Sequence, residues 1–507
     1  MARASSARRP SVPPQHPQQR RRQARTTPTE QGSGQQTLLR RPHMPRFPRY
    51  QRNVYLLLLF TLGKGFQLSI AQLSINLYAY SLGYKLDFIG LLTATPAIGA
   101  LLASVPVGLL ADRVSRKPLL IVSGLLNPVA LAVVALSANA PFLLAASLAN
   151  GILSSAYWVT NVPILSESSS DEQRVSVMAL NSFLLLGIGA LGGLVGGIVP
   201  EVVAHFTGLP ALSVIPLRWG VLSASIIVFL PAIPLFWLRD LPRNAPRTQH
   251  QQGADLPMAR GLADEATTPA QMAAPLTSAT GRTTATADAL QIAGAGQDDA
   301  PGGAQRGAQR GWLRGRSGRW ALVAIFVMLL LPDLLESTGQ GAVVGLLQLF
   351  FHLRFALGPG ALGVLSATAG LLCGVMALSA PRIVRRYGKL RTITSVQFLL
   401  APVVLLIGFS PLFAFSALAE FGRNTLRGIF EPVYATFAME RVSPRHRSTL
   451  AGFYSLTWSV GNSIGPAVAG WLQLHVGLSA AFVIGAACEA LAGACLLLFF
   501  RHTPGVD

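Results

Sequence analysis

Residues 108–118 read Gly-Leu-Leu-Ala-Asp-Arg-Val-Ser-Arg-Lys-Pro and lie between two long apolar runs. Asp112, Arg113 and the two cations that follow therefore stand directly at the end of a hydrophobic segment. Charged side chains are costly inside hydrocarbon, so a dense charge cluster beside a spanning segment marks a membrane boundary. The rest of the chain repeats this alternation of apolar run and basic loop, which predicts a protein that crosses the membrane many times.

The composition supports this interpretation, because 51% of the 507 residues are hydrophobic and only 12% are charged. A soluble protein carries about 25% charged residues. A transmembrane helix needs about 20 predominantly apolar residues. Twelve runs of that kind, here numbered spans 1–12, lie at roughly 54–82, 87–111, 118–138, 140–165, 175–200, 217–238, 320–351, 360–384, 390–409, 411–439, 448–475 and 478–501. We therefore predict an all-α polytopic membrane protein with twelve transmembrane helices.

The net charge of +20 is concentrated where it predicts topology. Residues 1–52 contain twelve Arg and one acid, and the loops after spans 2, 4, 8 and 10 contain twelve Lys or Arg against three in the odd-numbered connections. The positive-inside rule then predicts that both termini are cytoplasmic. We interpret the basicity as a topology signal and predict no nucleic-acid partner.

The two halves of the chain repeat each other at a constant shift of 273 positions. Matched residues include Gln67 with Gln340, Glu167 with Glu440, Arg174 with Arg447, Ser182 with Ser455, Gly192 with Gly465 and Gly197 with Gly470. The segment between the halves is rich in Ala, Gly, Gln and Thr and has no sustained apolar period, which is typical of a linker. The predicted organisation is a disordered basic cytoplasmic tail (1–50), an N-terminal six-helix bundle (51–240), a flexible cytoplasmic linker (241–318) and a C-terminal six-helix bundle (319–503).

The pattern Gly-x-x-x-Asp-Arg-x-x-Arg-Lys at 108–117 resembles the loop between helices 2 and 3 of the major facilitator superfamily of secondary transporters. The resemblance extends over about residues 50–502. It implies two pseudo-symmetric six-helix bundles related by an axis along the membrane normal, with a substrate site between them near the midplane. The second copy of the pattern, at 381–389, departs from it because Arg385 stands where the acid would be.

The resemblance also implies a conformational latch at the end of span 2. In it, Asp112 would face the start of span 11 near Ser448, where a helix N-terminus favours an anion, and Arg113 would pair with Glu167. The predicted latch residues are Gly108, Asp112, Arg113, Arg116, Glu167 and Arg174. The alternative is that these charges only fix the topology.

Spans 5 and 11 carry small residues at four-residue spacing, which lets membrane helices approach closely. The predicted helix-packing residues are Gly192, Gly196, Gly197, Gly465 and Pro466. The stretch in span 5 resembles the Gly-Pro-x-x-Gly-Gly signature of the drug:proton antiporters of this superfamily, with Gly193 in place of the proline.

A stripe of ionisable residues runs through the middle of span 10. It consists of Glu420, Arg423, Arg427 and Glu431, which share an arc of about 80° on one helix. The resemblance implies that spans 1, 4, 7 and 10 line the central cavity, and ionisable groups at this depth are functional by default. The predicted substrate-cavity residues are Lys64, Gln67, Asn150, Tyr157, Trp158, Asn161, Gln340, Arg423, Arg427 and Glu431.

Asp333 and Glu336 lie one turn apart in span 7. Neighbouring carboxylates in a low-dielectric surrounding repel each other, which favours protonation of one of them. We therefore predict that they couple transport to protons. The alternative for the charges of span 10 is a structural network of Glu420 with Arg423 and of Arg427 with Glu431 along one helix.

The arginines of span 10 stay charged and offer forked donors, which suit an anionic substrate group or a charge gate. Glu489 in span 12 is isolated in the sequence and is interpreted as a packing or lipid-edge residue. The three cysteines lie within apolar spans and predict neither a disulfide nor a metal site.

These features predict a secondary active transporter that moves a small organic solute by alternating access, coupled to protons, with export favoured over uptake. The predicted partners are the lipid bilayer, the solute and protons, and the protein is expected to be a monomer in the plasma (inner) membrane. No cofactor, metal or enzyme activity is predicted. Two alternatives stay open: a proton-coupled uptake symporter, and a transport-inactive receptor or scaffold on the same fold.

Overall fold

The computed structural model describes residues 51–238, 316–377, 379–443 and 446–501. The first half contains α1 (Arg52–Ser81), α2 (Leu86–Arg113), α3 (Arg116–Leu136), α4 (Ala140–Glu167), α5 (Asp171–Ser182, continued by a π turn at Phe183–Ile188, a 3-10 turn at Gly189–Leu191 and an α segment at Gly192–Thr207) and α6 (Val214–Ala232, ending in a 3-10 turn at Ile233–Trp237). The second half contains α7 (Arg316–Val344, followed by a segment at Leu347–Phe355), α8 (Pro359–Ala377, followed by a short helix at Ala380–Tyr387), α9 (Lys389–Phe409), α10 (Phe413–Arg441), α11 (Arg447–His475) and α12 (Ala480–Phe500).

The predicted tail at 1–50 and most of the predicted linker at 241–318 lie outside the described residues. Helix α7 begins at Arg316, inside the range predicted for the linker.

Within the described part of the chain, ten helical stretches are long and apolar enough to cross a membrane. They correspond to α1–α9 and α12. Helices α10 and α11 have 29 residues each, which is also enough to span a bilayer, but they carry more polar residues. The protein is therefore an all-α polytopic membrane protein, with ten spans supported by length and composition and two by length alone.

The apolar core is shared between the halves at one membrane face and divided at the other. One cluster combines residues of both halves, among them Leu73 and Phe350, near the connections 82–85 and 356–358. At the opposite face, each half has its own cluster, one around Phe60 and the other around Phe437. We call the first face the closed end, and the face with the arginine-rich loops the basic end.

Two of the glycine contacts that join the halves are related to each other by the internal repeat. A Cβ on Gly470 of α11 would lie 2.9 Å from the Cα of Gly90 on α2, and a Cβ on Gly363 of α8 would lie 3.2 Å from the Cα of Gly197 on α5. A shift of 273 converts Gly90 to Gly363 and Gly197 to Gly470. The two crossings between the halves are therefore one helix contact used twice, and each depends on the missing side chains.

Two other glycines of α5 face α1. A Cβ on Gly192 would lie 2.8 Å from the Cα of Phe66, and one on Gly196 would lie 3.2 Å from the Cα of Ile70. The turn of 3-10 helix at Gly189–Leu191 lies at this crossing. The glycine stretch of α5 thus lets it pack closely on α1 with one face and on α8 with the other.

Helix α11 uses its own small residues in the same manner. A Cβ on Gly465 would lie 2.6 Å from the backbone nitrogen of Ala342 on α7. The ring of Pro466 lies against Gly345, because a Cβ on that glycine would be 2.8 Å from the Cβ of the proline.

Polar contacts add to the closed end. Asn76 Nδ2 of α1 donates to the backbone oxygen of Gly345 at 2.6 Å. The backbone nitrogen of Gly360, at the N-terminus of α8, donates to Oε1 of Glu201 of α5 at 2.8 Å. A carboxylate at a helix N-terminus is electrostatically favourable. Both contacts connect the first half to the second.

Candidate functional site: a buried ion cluster and a caged lysine

Helix α10 carries Arg427 into the interior of the second half, where its guanidinium meets three carboxylates. Nη2 lies 2.6 Å from Oε1 of Glu336 on α7 and 3.2 Å from Oε1 of Glu431 one turn along α10. Nη1 lies 3.7 Å from Oε1 of Glu489 on α12. Arg427 also donates a hydrogen bond to Oε1 of Gln340 on α7. We call these five residues the Arg427 cluster.

Burial divides the cluster into an enclosed and an accessible part. Arg427, Glu336 and Glu489 are buried, whereas 49% of the Glu431 side chain is exposed. If all three acids were ionised, three negative charges would face one positive charge in a low-dielectric surrounding, which is unfavourable. The cluster therefore has the chemical means to bind a proton.

Glu420 and Arg423 form a separate ion pair near the cluster. Nε and Nη2 of Arg423 donate to the two carboxylate oxygens at 2.8 and 2.7 Å, and both side chains are buried. Asn424 Nδ2 donates to the same carboxylate at 2.6 Å. The fork of Arg423, predicted to face substrate, is thus engaged by Glu420. Both pairs of the structural alternative, this one and Arg427 with Glu431, are present.

Asp333 does not share the partners of Glu336. The hydroxyl of Thr457 on α11 donates to Oδ2 of Asp333, whereas Glu336 faces Arg427. Asp333 is half-buried. The two predicted proton-coupling acids are therefore held by different helices, and Asp333 links α7 to α11.

In the first half, Lys64 of α1 is enclosed by neutral polar groups. Its Nζ donates to Oε1 of Gln67 at 2.7 Å, to Oδ1 of Asn127 at 2.7 Å and to Oγ of Ser154 at 3.1 Å. Asn127 Nδ2 in turn donates to Oδ1 of Asn150 at 2.6 Å. Lys64 is 2% exposed. We call the group that encloses it, Gln67, Asn127, Asn150 and Ser154, the Lys64 cage. Among the side chains that the structure describes, no carboxylate pairs with Lys64.

Tyr157 and Asn161 of α4 belong to a second hydrogen-bonded group beside Lys64. The Thr61 hydroxyl donates to Oδ1 of Asn181 at 2.8 Å, and Asn161 Nδ2 approaches the same oxygen at 3.2 Å. Tyr157 is fully buried, its ring centroid 5.8 Å from the Lys64 ammonium. These residues pack the first half internally.

Trp158, a predicted cavity residue, is half-buried, and its ring centroid lies 5.1 Å from that of Tyr157. It is the more accessible of the two neighbouring aromatic residues of α4.

At the basic end, the same ion pair occurs in both halves. Arg116 pairs with Glu167, and Lys389 pairs with Glu440. A shift of 273 converts the first pair into the second. Each pair ties the helix after the basic loop to the end of the next helix.

This finding refines the predicted latch. The structure gives Glu167 the partner Arg116, whereas Arg113 was predicted; Arg113 ends α2 with an exposed side chain. The departure at Arg385 does not affect the pair, which uses Lys389. Gly108 is buried within α2. The side chains of Asp112, Arg174 and Ser448 lie outside the described ones, so the contact of Asp112 with α11 stays a prediction.

Two site residues were missed by sequence reasoning. Glu489 was interpreted as a packing or lipid-edge residue; it is 4% exposed and faces Arg427 instead. Asn127 lies on α3, outside the four helices expected to line the cavity, yet it is the centre of the Lys64 cage. A signal existed for both, since a lone polar or ionisable residue in an apolar span is functional by default.

Known proteins share this architecture. The sequence profile of the Major Facilitator Superfamily matches residues 55–422 and 334–507. No curated protein matches the sequence. Similar solved structures include a bacterial homolog of the human lysosomal transporter Spinster in an inward-facing, occupied conformation (13% identity, 88% of this chain and 96% of that chain, TM-score 0.62). Others are the human organic anion transporter MFSD10 (18%, 89% and 100%, 0.54) and the nucleoside transporter NupG (16%, 89% and 100%, 0.56).

At these identities the solved structures establish the fold alone, while the profile covers nearly all of the chain. The similar structures are those of transporters and not of enzymes. With its repeated halves, its paired inter-half crossings and a profile match from residue 55 to residue 507, the chain belongs to the Major Facilitator Superfamily.

Proposed function

We propose that the protein is a proton-coupled secondary transporter of a small organic solute, with the Arg427 cluster as its proton site. The observation that carries the proposal is the excess of acid around one buried guanidinium: Glu336, Glu431 and Glu489 lie within 3.7 Å of Arg427. A purely structural pair needs one acid. Additional buried acids are stable when a proton neutralises them.

The accessible side of the cluster suggests how a proton enters it. Glu431 is half exposed and lies one turn from Arg427, whereas Glu336 is buried and contacts the guanidinium from α7. A proton taken up at the exposed face can pass to the enclosed acids through rearrangement of one side chain. Asp333 lies on α7, as Glu336 does, and accepts a hydrogen bond from Thr457 of α11. It extends the proposed proton site toward α11.

The Lys64 cage supplies the complementary half of a solute site. A buried ammonium surrounded by amide and hydroxyl groups, with no carboxylate partner among the described side chains, is suited to a polar or anionic solute group. A solute that contacts both Lys64 and Gln340 would connect the two halves. The organic anion and nucleoside transporters among the similar structures support a small organic solute as the transported class.

The shared core at the closed end, with separate cores at the basic end, supports alternating access by rocking of the halves. If the basic end is cytoplasmic, as the charge distribution predicts, this conformation is closed to the outside. We propose a monomer in the plasma (inner) membrane with both termini in the cytoplasm. Export is favoured over uptake because the glycine stretch of α5 resembles that of drug:proton antiporters.

A panel of small organic solutes, tested by thermal shift on the purified protein, identifies the solute and the site together. The expected result is a solute that stabilises the wild type and loses this effect in Glu336→Gln and in Lys64→Gln. Lys85→Gln is the matched control, because Lys85 is an exposed cation in the loop after α1. Stabilisation that survives both site variants would contradict the proposed site.

Counterflow in proteoliposomes then separates transport from the receptor alternative. A transporter exchanges labelled solute against an unlabelled gradient, whereas a receptor on the same fold binds the solute without exchanging it. Acidification of the lumen that drives uptake of the solute into inverted vesicles indicates export; the opposite dependence indicates a symporter.

A further inference from the structure

Glu489 is an acid of the Arg427 cluster that comes from a helix outside the predicted cavity. Helix α12 packs mainly against α9 and α7, and Glu489 is 4% exposed within that packing. Among the described residues, the charged groups that act on it are Glu336 of α7 and Arg427 and Arg423 of α10. The described side chains of α9 and α11, which also pack against α12, add no further charged group. Glu489 therefore approaches the Arg427 cluster from α12.

The hydrogen bonds of the cluster are incomplete in a particular way. Nη1 of Arg427 and Oε2 of Glu489 are buried and have no hydrogen-bond partner in the described structure. Leaving buried charged atoms unpaired is costly. Nη1 and the nearer oxygen of Glu489 are 3.7 Å apart, less than 1 Å beyond a hydrogen bond.

From this geometry we infer that Glu489 is the reserve counter-ion of Arg427. When Glu336 is ionised, it neutralises the guanidinium from α7. When Glu336 takes a proton on its carboxylate oxygen, Arg427 closes the gap to Glu489, which stays ionised. The only bond that forms or breaks is the O–H bond of Glu336, and the guanidinium is paired in both states.

This inference rests on the proposed proton coupling and adds a role that the cavity residues do not provide. Without a second buried acid, protonation of Glu336 would leave Arg427 dependent on Glu431, whose side chain is half exposed. With Glu489, the cluster can bind and release a proton while its cation remains neutralised at either stage. Glu489 is thus a positioning residue, acting through Arg427 and not on the solute.

Infrared difference spectroscopy on the purified full chain in lipid nanodiscs tests the inference without a known solute. The readout is the C=O stretch of a protonated carboxyl followed through a pH titration, with the contribution of Glu336 assigned by its loss in Glu336→Gln. In Glu489→Gln we expect the midpoint of this titration to fall by about 1 pH unit, because removal of a like charge makes the ionised form of the remaining acid more favourable. Glu489→Asp keeps the charge and should leave the midpoint close to that of the wild type.

A midpoint in Glu489→Gln equal to that of the wild type, while Glu336→Gln abolishes the band, would overturn the role of Glu489 and leave the proposed proton site intact. Absence of a titrating band from Glu336 in the wild type would instead remove the proton site itself.

Dicyclohexylcarbodiimide, which reacts with protonated carboxyl groups in apolar surroundings, provides a measurement on the wild type that does not depend on variant folding. Peptide mapping should find the label on Glu336 and not on Glu489, because Glu489 stays ionised opposite Arg427. Labelling of Glu489, or no labelling of Glu336 at any pH, would overturn the inference.

Discussion

The bidentate pair of Glu420 and Arg423 predicts how much a single buried charge contributes to the stability of the second half. The two hydrogen bonds are 2.8 and 2.7 Å long, and the side chains are 5% and 6% exposed. Glu420→Gln leaves a buried guanidinium without its counter-ion, and loss of one partner of a buried pair costs about 3–5 kcal/mol. Glu167→Gln removes the partner of Arg116 at the surface, where an exposed pair contributes about 0–1 kcal/mol.

The comparison of these two variants is measurable from the fraction of purified protein that stays monodisperse in size-exclusion chromatography after heating. We expect the midpoint temperature of Glu420→Gln to fall by several degrees more than that of Glu167→Gln. The double variant Glu420→Gln/Arg423→Gln should recover part of the loss, because no uncompensated charge remains in the interior. Equal midpoints for the two single variants, or a double variant less stable than Glu420→Gln, would refute the reasoning.

Three further predictions concern the contacts between the halves and the latch. Gly470→Ala should weaken the helix packing at the closed end and increase the accessibility of cysteines to labelling from that side of the membrane. Gly452→Ala should not, since a Cβ there meets nothing within 4 Å. Equal labelling of the two variants would contradict the close crossing. Glu201→Gln removes the carboxylate at the N-terminus of α8, worth about 0.3–1 kcal/mol, and should shift the same labelling in the same direction by a smaller amount, a shift that an unchanged labelling rate would exclude. Asp112→Asn should slow transport in proteoliposomes while membrane insertion stays normal, and an unchanged rate would remove the latch.

The sequence predicts the scaffold well because helices and their symmetry are recorded in local patterns. Hydrophobic run length predicts the spans, and the helical period places Arg427 and Glu431 on one face of α10. The choice between Arg113 and Arg116 as the partner of Glu167 is not recorded locally. Arg113 is the last residue of α2 and Arg116 the first of α3, so the angle of the break between the helices decides which cation reaches the acid.

Long-range pairing explains the other misses. Glu489 has no polar neighbour at helical spacing on α12, so its own helix gives no sign of an ion pair. Its partner Arg427 is 62 positions away in the sequence, and the two meet because α12 packs against α7, whose Glu336 contacts the same guanidinium. Asn127 is hidden for the same reason, since the cage around Lys64 is assembled from three different helices.

The internal repeat distinguishes the contacts that stabilise the fold from the buried charges proposed for solute and proton binding. The inter-half glycine crossings and the ion pairs at the basic end are conserved under the shift of 273 positions. The buried charges are not, because Lys64 corresponds to Ser337, and Arg427 to Ser154. Rocking of two halves needs matched crossings, since each half must pivot on the other in the same way. The proposed binding of a solute and a proton at different places would need unmatched charges: the cation is caged by amides in one half, and the acids are gathered around a guanidinium in the other.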